Sequence, residues 1–174
     1  MQRCDSLIAS NVRLLTQGID LIERLDDASY SNANAALSLS GPGSHFRHCV
    51  DFYNCFLETI GTRRINYDLR RRNEVIEVDR ALAIAELEKI IEGLRRLILA
   101  DGQEELRVVV EESTAPRTAN AWSRSSVMRE LQSLLGHTIH HYALIALSLR
   151  LRGFEPGEEF GVAPSTLEYW RRTA

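Results

Sequence analysis

Residues 127–152 read VMRELQSLLGHTIHHYALIALSLRLR. Ser125 or Ser126 can cap this stretch as a helix, and Gly153 can end it. At about 1.5 Å per residue such a helix is roughly 40 Å long, the scale of a bundle helix rather than a connector. The apolar run ALIAL at 143–147 belongs to a core-facing stripe, yet His137, His140 and His141 stand just before it. A helix entering a hydrophobic core with three imidazoles poses the functional question together with the structural one.

Working outward, the same spacing recurs. Leu7, Ile8, Val12, Leu15, Ile19, Ile22 and Leu25 step by three and four, marking an amphipathic first helix. The segment DDASYSNANAALSLSGPGS (26–44) reads as a long connection. Ser40 or Gly41 then caps a second helix with Pro42 in its first turn, running through HFRHCVDFYNCFLETI to a stop at Gly61. TRRINYDLRRRNEVIEV (62–78) is a polar, basic connector. Asp79 caps a third helix whose apolar face is Leu82, Leu87, Ile90, Ile91, Leu94 and Ile98, ending at the Asp101-Gly102 turn. LRVVVEES (106–113) reads as a strand, and TANAWSRS (118–125) returns beside it as a hairpin, with Pro116 in the connection. The tail from Gly153, rich in turns and aromatics, is expected to pack along the helices. The fold class is therefore mainly α: a four-helix bundle, one domain over 1–174, with a short β-hairpin excursion before the last long helix.

Composition fits an ordinary globular chain: 174 residues, 44% hydrophobic and 26% charged. The net charge of −3 supplies no general basic field for nucleic acid, although Lys89 is the only lysine and the other basic residues are arginine. Cys4, Cys49 and Cys55 form no CxxC pair, MQRCDSLIAS has no signal-like apolar run, and no stretch approaches the ~20 apolar residues of a membrane span. The expectation is a cytoplasmic, reduced protein without a membrane or nucleic-acid partner.

All five histidines fall in two clusters, His45 and His48 on the second helix and His137, His140 and His141 on the last. His137 and His141 are four apart, so both project from one face one turn apart, the spacing at which two imidazoles can hold one metal ion. His140 points away from that pair. His45 or His48 can supply a third ligand. His48, beside Cys49, Phe52 and Phe56 and deeper in the helix, is the better placed. Three imidazoles leave coordination positions open, as catalytic sites do. The bland alternative is a set of buried, hydrogen-bonded neutral histidines. Imidazole suits zinc, nickel, iron(II) and copper alike, so spacing does not choose the ion.

HFRHCVDFYNCFL, then INYDLRRRNEVIEVDRA, and later RELQSLLGHTIHHYALIALSLRLRGFEPGEEFGVAPSTLEY resemble the DinB-like (YfiT-like) superfamily of four-helix bundles, many of them regarded as metalloenzymes. The resemblance spans about residues 40–170. It rests on a helix-two histidine in an H-x-x-D setting followed by HxxxH on the last helix. It implies His48, His137 and His141 as metal ligands, zinc or nickel as the ion, and a homodimer. It also implies small-molecule substrates, among them reactions that use low-molecular-weight thiols.

Other residues carry two readings each. Asp51, one turn from His48, either accepts an imidazole N–H or pairs with a cation. His45 and His140 are candidate acid–base groups, with capping or exposure as the alternative. Arg70, Arg71 and Arg72 either bind an anionic substrate group or form a solvated loop paired with Glu74, Glu77 and Asp79. Cys55 is about 10 Å along the helix from His48, too far to share an ion, and Trp122 and Trp170 read as packing residues. GPG at 41–43 follows no strand and is no nucleotide loop. Metal-dependent hydrolysis and thiol transfer both fit, beside a non-catalytic metal-binding or structural role.

Overall fold

The computed structural model describes residues 2–32, 40–97, 104–109 and 122–173. Six helices lie among them: α1 (Gln2–Arg24), α2 (Asp27–Ser31), α3 (Pro42–Thr59), α4 (Arg80–Arg95), α5 (Val127–Arg150) and α6 (Pro164–Thr173). Three short strands complete the set, β1 (Arg64–Asn66), β2 (Glu105–Val109) and β3 (Ser123–Ser126).

Local chemistry sets the helix ends. Ser126 accepts the N–H of Arg129 at the start of α5, and Asp79 accepts that of Leu82 at the start of α4. Pro42 opens α3 behind Gly41, where its missing N–H costs nothing. After α5, Gly153 takes a positive φ of 80°, so that the Phe154 N–H turns back onto the Leu149 carbonyl at 3.0 Å. The stop expected at Gly61 lies elsewhere. α3 ends at Thr59 and tightens into a 3-10 turn over Ile60–Thr62, and Arg63 takes the left-handed conformation at φ 57°. Thr62 holds that turn by donating to the Thr59 carbonyl and accepting the Arg64 N–H, so the reversal falls after the hydroxyl.

The four long helices α1, α3, α4 and α5 enclose the core. α1 and α3 each pack against both α4 and α5. Leu15, Ile22, Phe46, Tyr53, Leu87, Ile90, Leu131 and Ile145 are fully buried between them. One polar contact is built into this interior: Asn11 donates to the Leu7 and Leu131 carbonyls and accepts the Tyr53 hydroxyl at 2.6 Å, tying α1, α3 and α5. No helix among the described residues is long and apolar enough to cross a membrane.

The hairpin is present, β2 antiparallel to β3, but it belongs to a three-stranded sheet. β1 pairs parallel to β2, Ile65 opposite Val108, with α4 lying between them in sequence as a crossover requires. The segment read as a polar connector thus supplies a strand and three buried side chains, Ile65, Tyr67 and Ile76. The 26–44 connection likewise contains α2, which buries Tyr30 against Phe46 with its hydroxyl on the Ile76 carbonyl. The tail divides in two. Arg24 donates to the carbonyls of Glu155 and Pro156, and Phe160 stacks on Tyr142 at 4.8 Å, but α6 buries nothing and Trp170 is 47% exposed. Trp170 is therefore not a packing residue within the chain. Trp122 is half-buried, with the Arg64 guanidinium over its ring. Ile98, Asp101-Gly102, Pro116, residues 110–113 of the expected strand and the Cys4 side chain lie outside the described residues.

Two helical glycines separate close packing from helix propensity. A Cβ on Gly18 would stand 2.1 Å from the Tyr142 hydroxyl at the α1–α5 crossing, whereas one on Gly136 meets nothing. Gly136→Ala is expected to raise stability by about 0.5–1 kcal/mol. Gly18→Ala should lower it by about 1–3 kcal/mol. Urea unfolding of both variants checks the opposite signs.

Candidate metal centre

α3 and α5 run antiparallel along their contact, so positions that rise on one match positions that fall on the other. His45 lies against His141 and His48 against His137, in opposite sequence order. The faces they share border the core without entering it. Phe46, Cys49 and Val50 beside His48, and Thr138 and Tyr142 beside His137 and His141, are buried, while the four imidazoles are half-buried.

Three imidazoles converge. Nε2 of His48 lies 3.1 Å from Nε2 of His137, and Nε2 of His141 lies 3.1 Å from the same atom. One ring nitrogen from each of the three residues falls within a 4.8 Å group. Metal–imidazole bonds of about 2.0–2.1 Å set neighbouring nitrogens about 3 Å apart around a tetrahedral or octahedral ion. The two 3.1 Å separations therefore fit nitrogens that share one ion. Among the described residues this is the one group of three or more potential ligands so placed.

The electrostatics fit as well. Burial, with the neighbouring imidazoles and Arg70 adding to it, lowers His48 and His137 to about 4. Burial, followed by His137, His48, His45 and His140, lowers His141 to about 3. All three are neutral at pH 7, with lone pairs available for a cation. A His141 that turns its Nε2 lone pair to the cluster carries its proton on Nδ1, and that proton faces Nδ1 of His45 at 2.9 Å. His45 is itself pushed down, by burial and then by His140, so it stays neutral and able to accept. Nε2 of His45 and Nδ1 of His137 are buried without hydrogen-bond partners among the described residues.

The remaining candidates are placed as follows. His140 is exposed, its ring edge-on to His141 at 5.4 Å. Asp51 is buried, and its partners are not imidazoles: it pairs with Arg47 at 3.0 Å and accepts the Asn73 N–H at 3.4 Å. Burial raises its carboxyl and Arg47 opposes the rise. Arg47 also pairs with Glu77, so this acid serves α3 and not the arginine run, while Asp79 caps α4. Arg71 and Arg72 are exposed, but Arg70 folds inward over Phe52. Phe52 touches both His137 and His48, with ring centroids 4.6 and 4.9 Å away, and stacks on Tyr67. The i,i+4 step from His48 to Phe52 was visible in the sequence. The contact of Arg70 was not, because it depends on how the connector returns. Cys49 and Cys55 are buried free thiols, and Cys55 donates to the Asn66 carbonyl.

Compared with known proteins, the chain matches no family model and no curated protein. What the residues establish is a mainly helical protein whose three-histidine cluster is arranged to bind a divalent metal ion.

The lowered imidazoles make acid stability a test of this geometry. Unfolded, each titrates near 6.5; folded, near 4, 4 and 3. Between those limits the unfolded chain holds more protons, so their contribution is complete above pH 6.5 and is lost as the pH falls toward 4 and below. In chelator, the Tm of wild type should drop steeply from pH 7 to pH 4.5, and His141→Gln should flatten the slope. Parallel slopes would contradict a buried neutral cluster.

Proposed function

We propose that this chain is a metal-dependent enzyme of the DinB-like type, in which His48, His137 and His141 hold one divalent ion, zinc or nickel. The observation that carries the reading is the convergence of three neutral imidazole nitrogens on one point, at spacings a single ion would span. A carboxylate-free ligand set of this kind suits borderline ions better than calcium or magnesium, which take oxygen. When bound, the ion supplies Lewis acidity, drawing down the pKa of a water or a thiol near neutrality.

The chain's own residues do the rest. His45 fixes the tautomer of His141 through the Nδ1–Nδ1 contact and so positions that ligand. His140, exposed beside the cluster, is the group able to exchange protons with a substrate and with solvent. Asp51 holds Arg47 and the Asn73 amide, which anchors the connector that passes the site. Phe52 walls the His48–His137 edge. Hydrolysis of a small substrate and transfer of a low-molecular-weight thiol both use such a site. The DinB-like resemblance favours thiol transfer, in a cytoplasmic homodimer.

The test is metal content of protein purified without a histidine tag and dialysed against zinc or nickel. Wild type should take up about one ion per chain, and His48→Ala, His137→Ala and His141→Ala should each abolish stoichiometric uptake. His45→Ala should still bind, about 10–100-fold more weakly. Equal, low metal in wild type and variants would end the metal reading. Thiol-transfer or hydrolytic turnover that chelator does not reduce would end the enzymatic one.

A further inference from the structure

Arg70 is the charged group that the fold places at the cluster without a direct ion-pair partner among the described residues. Its guanidinium lies 4.5 Å from the centroid of Phe52, and that one ring separates it from the imidazoles of His48 and His137. Nη1 donates to the Tyr67 carbonyl at 2.9 Å, which fixes the side chain back onto its own turn. Nε is buried and has no hydrogen-bond partner, and among the described residues no carboxylate lies within ion-pair distance of the guanidinium. Asp51 and Asp68 attract Arg70 through space, but neither contacts its guanidinium, and Asp51 is engaged by Arg47.

A half-buried cation with an idle N–H is costly unless something pairs with it. Here the imbalance is larger than one residue. Imidazole ligands bring no negative charge to a divalent ion, no carboxylate stands in the ligand group, and Arg70 adds a positive charge beside it. A ligand that carries negative charge suits this surrounding best. A single unpaired guanidinium, pinned by a backbone carbonyl and an aromatic face, offers the fork that matches one carboxylate. Arg71 and Arg72 point to solvent and supply no second grip of the sort a phosphate dianion would draw on.

We infer that Arg70 recognises the carboxylate of a small organic acid whose other end occupies the three-histidine site. The inference rests on the metal reading above and names the substrate class for it. Tyr67 and Phe52 act with Arg70 as its support: one supplies the carbonyl that orients it, and the other supplies the face that keeps its stem dry.

The experiment uses the cobalt(II)-loaded full chain, whose thiolate-to-metal absorption reports a thiol reaching the ion. Mercaptoacetate, 3-mercaptopropionate and 4-mercaptobutyrate are titrated against 2-mercaptoethanol, which carries the thiol without the charge. In wild type at least one acid should bind about tenfold or more tightly than 2-mercaptoethanol. Arg70→Gln should erase that advantage while leaving cobalt uptake and 2-mercaptoethanol binding unchanged, Arg70→Lys should restore part of it, and Arg71→Gln should behave as wild type. Cobalt binding with no preference for any acid, or a preference that survives Arg70→Gln, overturns this inference and leaves the metal site standing. Failure to bind cobalt at all overturns the metal site, and this inference with it.

Discussion

The contact between His48 on α3 and His137 on α5, 3.1 Å between ring nitrogens, joins the two helices at a place where neither could carry a charge. Imidazole is the one common side chain that offers a basic nitrogen lone pair while neutral at pH 7, and burial at the edge of the core keeps it neutral. His141 and His45 extend the same seam, so the helix pairing and the chemistry depend on one register. A shift of either helix by one turn would part His48 from His137 and His45 from His141 and dissolve the cluster.

What could be read from residues alone follows the range over which each signal acts. Capping is a matter of three or four residues, and Ser126, Asp79 and Pro42 marked their helix starts correctly. The HxxxH spacing is likewise local, and His48 could be paired with it because both helices had to present their apolar faces to each other. β1 could not be foreseen: three residues, Arg-Ile-Asn, become a strand only because Val108 and its neighbours arrive beside them more than forty positions later. α2 is a five-residue helix, too short for any periodicity to show, and its meaning lies in one buried tyrosine. Arg63 rather than Gly61 takes the left-handed turn because the Thr62 hydroxyl delays the reversal.

The arginine run shows the same limit at the site. RRR gives no sign of which side chain turns inward; the 3-10 turn at Tyr67–Leu69, itself set by the Asn66 side chain on the Asp68 N–H, makes that choice. The Asp51 pattern is the reverse case. H-x-x-D was visible and suggestive, but a salt bridge to Arg47 one turn back on the same helix claimed the carboxylate.

The seam also fixes an order of events during folding. His48 and His137 are 89 positions apart, and His45 and His141 are 96 apart, with α4 and all three strands of the sheet made in between. A ribosome must deliver the chain as far as α5 before the first two of these imidazoles can meet. Until then α3 presents its histidine face to water, and the closing of so long a loop is among the slowest contacts the chain has to make. An ion that bridges α3 to α5 would act as a clasp on that loop, raising the barrier to reopening more than it speeds closure if the seam forms after the rate-limiting step. Metal occupancy would then be legible as kinetic persistence, in the rate at which α5 peels away and exposes its apolar face.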